Sequence, residues 1–392
     1  MRQIHERTDT LQARVARLRE LNVALVHDWL VTLGGADRVL LALHDLFPRA
    51  PVYTTLYTPG RLPDSFRLME VRPSWLQRIP GAAARHRWLI PVMPLALRSF
   101  DLRGYDIVIS SSHACAKGVR VRDGALHICY CHTPMRYAWD RRGEYLGALP
   151  AAARPFAGAA LSLLRRWDVR TARGVHYFVA NSDFVAGRIR AYYQRAAAVI
   201  HPPVDVGFFT PADGGAATDG GAFFLLVSRL VPYKRVDLAI EAFNRLGRPL
   251  VIVGDGPEMP RLRSLAGPTI RFAGTVSDAA LRGYYRQCRG LIFPGIEDFG
   301  LTSLEAQACG RPVIAYAEGG LLESVREGVS GLFFREPTAQ ALVECVRAFE
   351  GRRFDPETIR RHAETFSMQT FQYQMTEFVE DAWRQWAHSR TT

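Results

Sequence analysis

No stretch of this sequence is apolar for long enough to cross a bilayer. A helical span needs roughly 20 such residues, and the best candidate, Trp88 to Leu97, is short and broken by Pro91 and Pro94. The first 20 residues carry charge throughout and have no apolar centre, so no secretory leader is expected and the chain is placed in the cytoplasm. The six cysteines (Cys115, Cys129, Cys131, Cys288, Cys309 and Cys345) include no Cys-x-x-Cys pair. Most lie in apolar surroundings, which argues against a zinc site and for buried, reduced thiols. Zinc-finger, RNA-recognition and homeodomain signatures are also missing, so no nucleic-acid partner is expected.

The chain has 392 residues, long for one core and comfortable for two domains. Hydrophobic residues make up 48% and charged residues 22%, an ordinary globular balance. The formal charge is +12 and the pI about 9.7. The cations are mostly arginines, dispersed rather than in one run. Such a balance points to phosphate groups or an anionic membrane surface.

Residues 1–20 read as an N-terminal amphipathic helix, with Ile4, Leu11, Val15 and Leu18 at helical spacing. From residue 21, short apolar strands alternate with helical patterns: Ile107–Ser110, Leu126–Tyr130 and Tyr177–Ala180 are the clearest. His201-Pro202-Pro203 halts regular structure, and 202–222 reads as a linker rich in Gly, Ala and Asp. The alternation restarts at Phe223–Ser228, Leu250–Val253, Ile270–Phe272, Gly290–Phe293 and Pro312–Ala315. The fold class is therefore α/β, with parallel sheets in two domains, 21–201 and 223–366. A helix over 367–392, rich in aromatics, is expected to cross back to the first domain.

The segment "FPGIEDFGLTSLEAQACGRP" sets two carboxylates, Glu297 and Glu305, around a glycine turn. Thr302 with Glu305 three residues on reads as a capping box. The helix would end at Gly310 with Pro312 beyond it. Its start, with unpaired amides and the positive dipole end, suits a phosphate. On one continuous helix eight positions rise about 12 Å, whereas retaining glycosidases hold their carboxyls about 5 Å apart. Two hydroxyl-binding acids flanking a phosphate fit better than a hydrolytic pair. Glu305 could equally be only a cap, and Arg229, Lys234 and His132 could each be structural.

In these residues the chain resembles glycosyltransferase family 4, retaining enzymes of the GT-B architecture in which two Rossmann-like domains face across a cleft. "GIEDFGLTSLEA", "VSRLVPYKRVDLAIEAF", "LVIVGDGPE", "IRFAGTVSD", "EGGLLESV" and the Gly34-Gly35 loop carry the resemblance, in order, over about residues 22–385. The resemblance implies that Glu297 bonds hydroxyls of a donor sugar and Glu305 the ribose of its nucleotide. It assigns Arg229 and Lys234, with the amides of Gly300, Leu301 and Thr302, to the donor diphosphate. It gives His132 a position facing the sugar, and Gly34 and Gly35 the N-terminal glycine loop. Arg136 is a candidate for an acceptor phosphate, and His113 and Lys117 are candidates to support the site from behind.

Charge growing on the leaving diphosphate would then be stabilised by Arg229, Lys234 and helix amides. With no Asp-x-Asp in the chain, no metal and no cofactor are expected. The segments "GGADRVLLALHDLFP" and "HTPMRYAWD" are similar to mannosyltransferase-like members that act in polysaccharide and O-antigen synthesis. That implies GDP-mannose as donor and a glycan or polyprenyl-diphosphate-linked acceptor. "AARHRWLIPVMPLALRS" and "PFAGAALSLLRRWDVRTARG" combine apolar residues with arginines, so peripheral attachment to the inner face of the cytoplasmic membrane is expected. A nucleotide-sugar epimerase of the same architecture and a non-catalytic phosphate or nucleic-acid binder are the competing readings.

Overall fold

A computed structural model describes residues 14, 17, 18, 20–147, 149–212 and 222–391. Most of the amphipathic helix expected over 1–20, and 213–221 of the linker, lie outside the described residues. The chain forms two compact units, 1–201 with 371–392, and 202–370.

The first unit holds a seven-stranded sheet in the order β3-β2-β1-β4-β5-β6-β7. The strands are β1 (Val23–His27), β2 (Val52–Thr54), β3 (Val71–Pro73), β4 (Ile107–Ser112), β5 (Leu126–Cys131), β6 (Tyr177–Ala180) and β7 (Ala197–Val199). All pair in parallel. Every residue of β1, β4 and β5 is buried, as expected of central parallel strands covered on both faces. β2, β3 and β7 have three residues each, too few for a periodic signal.

Helix Arg154–Ala172 is fastened to this unit by a buried ion pair. Lys117 meets Asp168, which also accepts from Trp139 Nε1 (2.9 Å) and Tyr193 hydroxyl (2.8 Å). Burial alone would lower the Lys117 pKa, but Asp168 outweighs it and holds the ammonium charged. Lys117 thus anchors a helix in the core. The C-terminal helix Met368–Thr391 also enters this unit. There Glu380 receives the Arg17 guanidinium at 2.7 and 3.0 Å.

The second unit holds a six-stranded sheet in the order β10-β9-β8-β11-β12-β13. Its strands are β8 (Phe223–Val227), β9 (Leu250–Val253), β10 (Ile270–Gly274), β11 (Cys288–Phe293), β12 (Val313–Tyr316) and β13 (Gly331–Phe334), again all parallel. Helix Val236–Leu246 buries Val236, Leu238, Ala239, Ile240, Ala242 and Phe243 against it. Each large apolar side chain so buried contributes roughly 1.5–3 kcal/mol. All six cysteines are buried and unpaired. Among the described residues no helix is long and apolar enough to cross a membrane.

Candidate active site

In the second unit the strand order reverses between β8 and β11, which are neighbours in the sheet. Ligands of open parallel sheets bind beyond the strand ends at such a switch point. β8 leads into the turn that carries Arg229 and Lys234, and β11 into the loop 294–300 that carries Glu297. The structure brings Lys234 Nζ and Glu297 Oε1 together as an ion pair, with both side chains about six-sevenths buried (15% and 13% exposed). Lys117 and Lys234 are the only lysines in the sequence, so the second is spent at this strand end. Arg229 stands exposed at the start of the same turn.

The 294–300 loop is clamped from both sides by backbone. The Gly320 amide donates to the Glu297 carbonyl at 2.9 Å, and Glu297 bridges Gly319 in parallel. A Cβ on Gly320 would lie 2.1 Å from the Asp298 carbonyl oxygen, so no other residue fits there without moving the loop. On the other side, a Cβ on Gly295 would meet the carbonyls of Tyr233 and Lys234 at 2.8 Å. The loops after β8, β11 and β12 therefore fix one another before any side chain is considered.

Helix Leu301–Ala308 begins directly after this loop. The capping-box reading of Thr302 and Glu305 does not hold. Gly300 is the N-cap, in the left-handed region at φ 89°, and no side chain caps the helix; Thr302 lies within the first turn. The chain must reverse sharply to leave the loop, and only glycine does so without strain. Glu305 instead turns inward, nearly buried, and its Oε2 accepts from the Tyr285 hydroxyl at 2.8 Å. Ser303 Oγ donates to the Gly300 carbonyl. The amides of Leu301 and Thr302 lie in the first turn, at the positive end of the helix dipole.

The first unit carries His132, Gly34 and Gly35. His132 follows β5 directly, and its amide donates to the Ser112 carbonyl at 2.8 Å. Its Nε2 lies 2.8 Å from Ser111 Oγ. Burial, aided by the neighbouring charge of His113, pushes its pKa well below the usual value, so the ring is neutral. Gly34 caps helix Gly35–Leu46, and its amide donates to Asp37 Oδ2 at 2.6 Å. Both glycines are exposed.

Around His132 lies a polar cluster of which reasoning from the sequence singled out His113 and missed the rest. His27 ends β1 and Asp28 follows it, and Ser111 lies in β4. Asp28 accepts the amides of His113, Ala114, Cys115 and Ala116. Burial alone would raise its pKa, but the charge and hydrogen bonds of His113 bring it well below the ordinary carboxylate value. Asp28 in turn raises His113 against the opposing effect of burial. The signal was present in "LVHDWLVTLGGADR", where two polar residues close an apolar strand.

The model of the family described as Glycosyltransferase Family 4 matches residues 33–208, and that of Glycosyl transferases group 1 matches 213–365. The D-inositol 3-phosphate glycosyltransferase of Geodermatophilus obscurus is 35% identical over 222 residues, 48% of this chain and 49% of that protein. Its counterpart in a Nocardioides species is 28% identical over 66% of this chain and 54% of its own length. The chain thus spans about half the length of the curated relatives it matches. Among solved structures, Anabaena HepE with UDP and glucose superposes with a TM-score of 0.68 at 18% identity, over 92% of this chain and 99% of that one. Sucrose-phosphate synthase from Thermosynechococcus elongatus gives 0.68 at 18%, over 92% and 98%. The apo lipopolysaccharide outer core galactosyltransferase WaaB gives 0.60 at 16%, over 92% and 100%. At these identities the likeness fixes the fold, GT-B with two Rossmann-like domains.

Proposed function

Since the chain belongs to glycosyltransferase family 4, we propose that it moves a hexose from a nucleoside-diphosphate donor to a hydroxyl of a glycan acceptor, with retention and without a metal. The observation that carries this reading is the meeting of Lys234 and Glu297 at the switch point, beside the start of helix Leu301–Ala308. In this reading Arg229, Lys234 and the Leu301 and Thr302 amides receive the charge that grows on the diphosphate as the sugar departs. Fixed cations and amides act there more strongly in the transition state than before it. Glu297 holds sugar hydroxyls, Glu305 the ribose, and His132 the sugar from the first unit.

The proposed donor is GDP-mannose and the proposed acceptor is lipid-linked, supported by the likeness of "GGADRVLLALHDLFP" and "HTPMRYAWD" to mannosyltransferase segments. A membrane-bound acceptor also suits the surface of the first unit. Trp88, Leu95, Phe156 and Leu163 stay exposed there among the exposed arginines Arg85, Arg87, Arg98, Arg165 and Arg166. Apolar side chains can enter the interface while arginines meet anionic headgroups.

The deciding experiment incubates the protein with GDP-mannose, UDP-glucose and related donors, with and without polyprenyl-diphosphate-linked glycans, in excess EDTA. Transfer to the lipid-linked glycan from GDP-mannose is expected. An epimerised donor in the absence of acceptor, or transfer only after a divalent ion is restored, overturns the reading. Transfer from a UDP-sugar alone corrects the donor and leaves the reaction class in place.

A further inference from the structure

A continuous hydrogen-bonded chain runs from Asp37 through His27 and Ser111 to His132. Asp37, in the first turn after Gly34, is acceptor-only when ionised. Its Oδ2 takes the Gly34 amide at 2.6 Å, and its Oδ1 lies 3.1 Å from His27 Nε2. That ring nitrogen therefore carries the hydrogen. With His27 as a neutral imidazole, its other nitrogen is then bare. His27 Nδ1 lies 3.1 Å from Ser111 Oγ and accepts its only proton. Ser111 Oγ, having donated, can only accept from His132 Nε2 at 2.8 Å. His132 is left with its hydrogen on Nε2 and a bare lone pair on Nδ1.

Resting on the reading above, we propose that Asp37, His27 and Ser111 are positioning residues that hold His132 as the Nε2–H tautomer. His132 thereby offers Nδ1 as a hydrogen-bond acceptor to a hydroxyl of the transferred sugar.

Three features support this. The parallel register sets His27 directly beside Ser111, so the chain is built into the sheet. His27 and Ser111 are fully buried, and water cannot substitute for either. The His132 backbone is fixed at both ends, by Ser112 and by Asn181 Nδ2, which donates to its carbonyl at 3.0 Å. Among the described residues no hydrogen bond is made by Nδ1 itself. An unfilled acceptor at a strand end selects a donor, and a sugar hydroxyl is one. Asp37 also ties the Gly34-Gly35 loop to the same chain, so loop position and ring tautomer are set together.

The test uses the intact protein labelled with 15N at histidine. Long-range proton–nitrogen spectra, with His132 assigned by loss of its signals in His132→Gln, report which nitrogen is protonated. The expected result is a protonated Nε2 and bare Nδ1 in the parent, and a mixture of tautomers in Ser111→Ala. Asp37→Asn breaks the chain at its other end, because its amide cannot accept from both Gly34 and His27; the same mixture is expected. In transfer assays Ser111→Ala should lower kcat about 10-fold, the size of one hydrogen bond, with donor KM little changed. Ser111→Thr keeps the hydroxyl and should restore kcat. A parent protonated on Nδ1 overturns the proposal, as does Ser111→Ala with parental spectra and parental kcat. If the parent transfers sugar from no donor, the reaction assignment falls, and the parent spectrum still decides the tautomer.

Discussion

Glu297 and Lys234 are held by loops whose backbone is already locked, so the backbone alone sets both side chains at the strand ends. Glu297→Gln removes the carboxylate charge and preserves shape. It should melt within a few degrees of the parent, since glutamine keeps the shape and its amide oxygen can still accept from Lys234 in this largely buried pair, and lose most turnover. Lys234→Ala removes a fixed positive charge from the proposed leaving-group site. It should cost about 3 kcal/mol of activation energy, comparable to removing one charge-stabilising donor elsewhere. Steady-state kinetics with thermal melts check both; full turnover in Glu297→Gln would remove that residue from the reaction. Of the residues singled out in the sequence, Glu297 and Lys234 meet in space. Glu305 lies near Glu297 in sequence but spends one oxygen on Tyr285. A carboxylate's partner across a buried helix face cannot be read from spacing.

At the scale of elements, the second unit depends on loops touching backbone to backbone. Gly320→Ala puts a Cβ 2.1 Å from the Asp298 carbonyl. Overpacking of this kind costs about 1–3 kcal/mol, and the displaced loop carries Glu297. The variant should melt a few degrees lower and lose more activity than its stability loss explains. A parental melting curve would show that the two loops do not touch. In the first unit, helix Arg154–Ala172 packs its inner face on the core, while Phe156 and Leu163 are 81% and 65% exposed. Phe156→Ser with Leu163→Ser should leave the melting temperature unchanged and weaken sedimentation with anionic vesicles. The parent should bind such vesicles at low salt and release as salt rises, because headgroup attraction is screened. Parental vesicle binding by the double variant would discard this helix as the contact.

For the whole molecule, the histidines fix the direction of the pH response. Burial lowers His127 to about 3 and His132 well below its usual value. His44, His176 and His362 are also lowered, chiefly by burial, and His113 alone is raised. A histidine lowered in the folded state takes up a proton more readily when unfolded, so acid favours unfolding. The stability held above pH ~6.5 is lost as pH falls below it, by about 1.4 kcal/mol per pH unit for each buried neutral histidine. His113 works the other way: its contribution is fully present below pH ~6.5 and is lost only as pH rises through its raised folded value, so it does not offset the acid loss. The urea midpoint should therefore drop between pH 7 and pH 5.5; a midpoint that holds or rises would contradict the buried neutral state of His127 and His132.

What the sequence determined by itself is the alternation of elements and the chemistry at their ends. Tyr177–Ala180 and Leu250–Val253 are strands with the bounds expected of them, because a central parallel strand is apolar on both faces and stands out against its flanks. The glycines of 295–300 and 319–320 mark tight loops because few other residues fit there. Tertiary structure alone decided the rest. The three-residue strands β2, β3 and β7 exist because a longer neighbour offers them hydrogen bonds, not through any periodicity of their own. The cap at Gly300 in place of Thr302 follows from the direction in which the loop leaves β11. The chain from Asp37 through His27 and Ser111 to His132 joins residues far apart in sequence. It exists because parallel register lays β1 against β4 and β4 against β5, and pairing of that kind is a property of the sheet and of no single segment.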